Sequence, residues 1–127
     1  GQPLPKVAHD MLKVVESTQS PAAIMMLFIP AVILAPVLEE VIYRGLVQTA
    51  LLDLIGPRRR WWVILIASLL FTIVHTSVAW QGKPILYVLA LFLGWLYERT
   101  GCLWPSTMLH VGFNATNFAW VVLMRSG

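Results

Sequence analysis

Leu38-Glu39-Glu40-Val41-Ile42-Tyr43-Arg44 sets two adjacent carboxylates and an arginine inside a stretch that otherwise reads as lipid-soluble. Between residues 22 and 55 only Glu39, Glu40, Arg44 and Asp53 carry charge at neutral pH. A charge at bilayer depth costs roughly 2.5–3.5 kcal/mol on insertion scales, so these side chains must face protein and partners rather than acyl chains. On a helix, residues four apart share a face, so Glu40 and Arg44 can pair. Glu39 then lies about 100° round the helix and stays available. The blander alternative is that both glutamates only tie helices together.

Two later apolar stretches carry groups that could work with such a carboxylate. Phe71-Thr72-Ile73-Val74-His75 places Ser68, Phe71, Thr72 and His75 on one helical face. His110-Val111-Gly112-Phe113-Asn114 places His110 and Asn114 four apart, pointing the same way, with Asn117 near that face. Taken singly, His75 reads as a core histidine bonded to a carbonyl, and His110/Asn114 as polar glue between helices. Together they make a different proposition. None of the three clusters holds an activated serine or cysteine, so water is the expected nucleophile. A desolvated glutamate suits a general base, and imidazole and carboxamide N–H groups suit a developing oxyanion. Glu39, His75 and His110 could instead ligate a Zn2+ with an open fourth position. A glutamate serving as ligand is not also a free base.

The segments that must position these groups can be read in order. Residues 1–20 mix Lys6, Asp10, Lys13 and Glu16 with Val7, Met11, Leu12, Val14 and Val15, which suits an amphipathic segment on a membrane surface. His9 there is given no role. Ser20-Pro21 reads as a helix start. The apolar run to Ile55 is about 50 Å as a helix, too long for a hydrocarbon core of about 30 Å. Pro30 and Pro36 lie inside it, so a bend or break near residues 35–36 is expected, with Gly56-Pro57 as the stop. Residues 61–79 form the next span, with Trp61, Trp62 and Trp80 as interfacial anchors. Pro84 opens a third, through Tyr97, in which Ala90 and Gly94 allow close helix contact. Pro105 opens a fourth, through Met124.

Composition agrees with this reading. Hydrophobic residues are 58% and charged residues 12%, against about 45–50% and about 25% in ordinary soluble domains. The chain is therefore expected to be all-α, a multi-pass transmembrane bundle of about four spans, the first kinked or split. Residues 21–127 form its core. Arg58, Arg59 and Arg60 lie between two apolar segments, as a positive-inside loop does, and show no nucleic-acid footprint. Arg99 falls on the same side and Lys83 on the other. Cys102 is the single cysteine, which excludes an intrachain disulfide. With neither an initiator Met nor a signal-peptide pattern, the chain reads as a piece of a longer one.

Glu-Glu-x-x-x-Arg, Phe-x-x-x-His and His-x-x-x-Asn, in this order on apolar helices, resemble the CPBP (CAAX protease and bacteriocin-processing, or Abi) intramembrane proteases, relatives of the type II CAAX prenyl endopeptidase. The motifs span residues 39–114, most of the chain. The resemblance implies that Glu39 and His75 activate water, that His110 and Asn114 stabilise the oxyanion, and that Glu40 and Arg44 support them. It implies an integral, multi-pass protein of a bacterial-type plasma membrane or endomembrane, acting on peptide or protein substrates, prenylated CAAX proteins or bacterial peptides among them. The family is commonly called metalloprotease, which keeps Zn2+ on Glu39, His75 and His110 open; no organic cofactor is implied. Two other readings compete. A non-catalytic scaffold or immunity module would keep the fold without the chemistry. A haem held by His75 and His110 would colour the protein.

Overall fold

The structure is a computed structural model that describes Lys13, Ser17 and residues 20–125. The amphipathic segment expected at residues 1–20 lies outside the described residues, apart from Lys13, Ser17 and Ser20. The described residues form four helices joined by short turns, with no strand among them.

Helix α1 (Pro21–Ile55) is continuous, and it is long and apolar enough to cross a membrane by length and composition. Ser20 is its N-cap residue, without a side-chain capping bond. The bend expected at the prolines takes the form of wide turns. Residues Ile29–Leu34 and Val41–Gln48 are π-helical, between α-helical stretches. Pro30, which has no N–H to give, sits in the first of them.

The wide turns have a geometric effect. The buried residues of α1 are Val32, Pro36, Glu40, Arg44 and Gln48, spaced every four. In a regular α-helix four residues overshoot a full turn by about 40°, so such a stripe would wind off the bundle. In a π-helix, with its i→i+5 bonds, four residues fall short of a turn and the drift reverses. Alternating the two keeps the stripe facing its neighbours along its length.

Gly56, at φ 91°, turns the chain out of α1, a conformation that strains a residue with a Cβ. A 3-10 turn (Pro57–Arg59) leads into helix α2 (Arg60–Val74). The sequence reading carried this helix to Ala79, but it stops at Val74, with His75 as its cap at φ −76°, ψ 66°. The His75 ring nitrogen Nδ1 donates to Phe71 O at 2.6 Å, and the Thr76 backbone N–H turns to Val74 O at 2.8 Å in place of its helical partner, Thr72 O. Thr76 and Ser77, which favour turns, follow.

A second 3-10 turn (Trp80–Gly82) precedes helix α3 (Lys83–Thr100), which ends on Gly101 in the left-handed conformation at φ 61°. Helix α4 (Leu103–Arg125) completes the bundle. Phe71, Leu86, Leu89, Ala90 and Leu93 form the core, with Tyr43, Val78 and Phe113 packed against it. The small pair Ala90 and Gly94 is buried, as expected, and α1 seats against it. The outward faces are strongly apolar: Met26, Leu54 and Leu123 are 75%, 82% and 68% exposed. A continuous apolar exterior of this kind is covered by lipid or by protein.

Candidate active site

The two glutamates have separate environments. Glu40 is fully buried. Its Oε1 lies 3.2 Å from Arg44 Nη1 and accepts from His110 Nδ1 at 2.9 Å. Arg44 is also buried; its Nη2 donates to Ala90 O of α3 at 2.9 Å, and its guanidinium lies 4.9 Å above the Phe71 ring. Glu40 is thus held by a cation and an imidazole, as its i, i+4 relation to Arg44 foretold for the first of these.

Glu39 is the freer of the two, with 27% of its side chain exposed. Its Oε2 lies 3.5 Å from His75 Nε2 and 3.4 Å from His110 Nε2. In both histidines the other ring nitrogen, Nδ1, faces an oxygen acceptor: Phe71 O for His75 and Glu40 Oε1 for His110. That acceptor keeps a proton on Nδ1 and leaves Nε2 to face the carboxylate. One oxygen of Glu39, two Nε2 atoms and a partly open position therefore meet, brought from α1, the end of α2 and α4.

Phe71 organises this cluster. It is fully buried, and its ring meets Tyr43 edge-on at 5.0 Å, His75 at 4.2 Å and His110 edge-on at 5.7 Å. The Phe-x-x-x-His spacing thus carries a platform as well as the imidazole that faces Glu39. Asn114 lies one turn beyond His110, and its Nδ2 donates to Ala31 O at 3.1 Å, inside the first wide turn of α1. One N–H of its amide is engaged there; a carboxamide has two.

Gln48 was missed in the sequence. It is fully buried, and its Nε2 donates to Gly94 O and to Glu98 Oε1, each at 3.0 Å. With Arg44 on Ala90 O, two α1 side chains four apart grip two α3 carbonyls four apart. The signal was the four-residue spacing of Glu40, Arg44 and Gln48 opposite that of Ala90 and Gly94. Thr49 adds a bond to Tyr97 Oη at 3.1 Å.

Among the described residues no group of three or more His, Cys, Asp and Glu side chains is arranged to hold a metal ion. Glu40 is already taken up by Arg44 and His110, so Glu39 is the carboxylate left either to hold a metal or to serve as a base.

The family model described as type II CAAX prenyl endopeptidase Rce1-like matches residues 21–116, which contain all three motifs. The UPF0177 protein YaiF of Lactococcus lactis subsp. lactis (strain IL1403) is 34% identical over 91 residues, 72% of this chain and 38% of that protein. The chain thus spans well under half the length of this relative. No solved structure matches the chain.

Proposed function

Because this chain belongs to the Rce1-like family of type II CAAX prenyl endopeptidases, membrane-embedded proteases of helical architecture, we propose that it is a multi-pass intramembrane endopeptidase using Glu39 as base. The observation that supports this most is the meeting of Glu39 Oε2 with both Nε2 atoms while Glu40 is held apart by Arg44 and His110.

In this reading a water molecule sits between Glu39 and His75. Glu39 takes its proton as the oxygen attacks the scissile carbonyl, and His75 Nε2 holds the water in line. His110 Nε2 faces the oxyanion, and the second N–H of Asn114 donates to it when substrate is bound. Each such donor is worth about 3–4 kcal/mol of barrier. Glu39 then returns its proton to the leaving amine, so the base becomes the acid and the site is restored. Glu40 and Arg44 touch no reacting atom; they fix His110. The residues present supply both proton transfers, and zinc is a separate proposal that metal analysis of the active protein decides.

The substrate class is a peptide bond presented at bilayer depth, from a CAAX-type protein or a bacterial peptide. Purified protein in proteoliposomes should cleave members of a membrane-tethered peptide set, and Glu39→Gln and His75→Ala should each abolish this while helicity and unfolding midpoint persist. Wild-type turnover in either folded variant would remove the proposal, and no cleavage by the wild-type protein would favour a non-catalytic scaffold.

A further inference from the structure

At the Arg-rich end of the bundle, α2 and α3 leave a trough that the hydrolytic cluster does not use. Its apolar part has a volume of about 360 Å³ and is lined by Trp61, Val88, Leu91, Phe92 and Trp95. Trp61 and Trp95 also line an adjoining cavity of about 240 Å³, whose charged walls are Arg60, Glu98 and Arg99. The two spaces therefore share a border formed by two indole rings, one side apolar and the other basic.

We propose that this trough binds an anionic phospholipid, one acyl chain along Val88, Leu91 and Phe92 and the phosphate between Arg60 and Arg99. Charge, anchoring and position all support that occupant. None of the ion pairs among the described residues involves Arg60 or Arg99. The carboxylate in the mouth, Glu98, has an oxygen committed to Gln48 Nε2 at 3.0 Å, so two cations face one partly engaged anion. Tryptophan indoles settle at the boundary between acyl chains and headgroups, where the two spaces join. Arg60 opens α2 and Arg99 lies in the last turn of α3, and both line the same cavity at one end of the bundle. Positive-inside counting puts that end at the cytoplasmic leaflet, where anionic lipids concentrate and basic pockets between helices take their headgroups. The proposal rests on the membrane reading and is independent of peptide hydrolysis.

The test uses purified protein in vesicles of phosphatidylcholine containing a fixed fraction of brominated-acyl phosphatidylglycerol or, in parallel, brominated-acyl phosphatidylcholine. Bromine quenches indole emission on contact, so the Trp61 and Trp95 contribution is isolated by comparison with Trp61→Phe/Trp95→Phe. That contribution should report a preference for the anionic lipid of about fivefold for each arginine engaged. Arg60→Gln/Arg99→Gln should abolish the preference, and Arg58→Gln/Arg59→Gln should keep it. Equal quenching by the two lipids in the wild-type protein would overturn the proposal without any arginine variant. So would a preference that survives Arg60→Gln/Arg99→Gln, or one abolished by millimolar inorganic phosphate, which would mark a simple anion site. Peptide cleavage is measured on the same vesicles, and its absence leaves the lipid result standing.

Discussion

Two neighbouring glutamates should respond to the same substitution in opposite ways. Glu40→Gln leaves Arg44 buried, 2% exposed, without its counter-charge, and weakens the 2.9 Å bond from His110. Breaking a buried pair by removing one partner costs about 3–5 kcal/mol, because the remaining charge is left uncompensated. Glu39→Gln removes a carboxylate that is 27% exposed and meets its histidines only at 3.4 and 3.5 Å. Partly solvated contacts of that kind contribute about 0–1 kcal/mol. The stability ratio of the two variants should thus differ by at least tenfold, with Glu39→Gln the more stable and the inactive one. Adding Arg44→Met to Glu40→Gln removes both charges, and the double variant should recover part of the single variant's loss. Reversible unfolding in mixed micelles measures the wild type, Glu39→Gln, Glu40→Gln, Arg44→Met and the double variant, and peptide cleavage is read from the same preparations. Equal stability losses at the two glutamates, or additive losses at Glu40 and Arg44, would refute the division of labour.

Four further outcomes follow from the geometry. Phe71→Ala should cost about 3–5 kcal/mol, as loss of a fully buried aromatic does, and should depress cleavage even at temperatures where the protein remains folded. Gly94→Ala would bring a Cβ to 3.0 Å from Gln48 Oε1 and 3.2 Å from Ile64 Cγ2; unfolding should show a loss of about 1–3 kcal/mol, smaller in a Gln48→Ala background. Asn114→Ala should lower kcat more than it raises KM in steady-state assays, with a stability loss of about 1 kcal/mol from the Ala31 bond. Treatment with a metal chelator, followed by elemental analysis, should leave cleavage unchanged in metal-free protein; restoration by Zn2+ alone would make zinc part of the site.

The clustered polar groups were legible because burying them in apolar sequence is costly. Glu39, Glu40, Arg44, His75 and His110 each had to find partners, and i, i+4 spacing already told which glutamate Arg44 would hold. The membrane-length first helix and the close-packing role of Ala90 and Gly94 were readable from composition and from small residues four apart. The course of α1 was not. Pro30 and Pro36 signal a lost hydrogen bond, and whether the chain breaks or widens depends on which side chains the bundle draws inward. The end of α2 was hidden for a similar reason. Neither Gly nor Pro follows His75, and the turn shows only in the folded chain, where the Thr76 N–H bonds Val74 O. Gln48 escaped notice because a single amide in a long apolar run has no charge to betray it; only the stripe through Val32, Pro36, Glu40 and Arg44 marks it, and that stripe is straight only in the folded helix.

The widened pitch of α1 ties backbone length to side-chain chemistry. Removing one residue between Val41 and Gln48 would let that stretch relax to ordinary pitch without deleting a charged group. Yet the carboxylate, guanidinium and amide would then fan out like steps of a spiral stair, and the amide would swing clear of the carbonyl of Gly94. In this protein the number of residues in a turn sets the shape of the polar cluster as much as the side chains that form it.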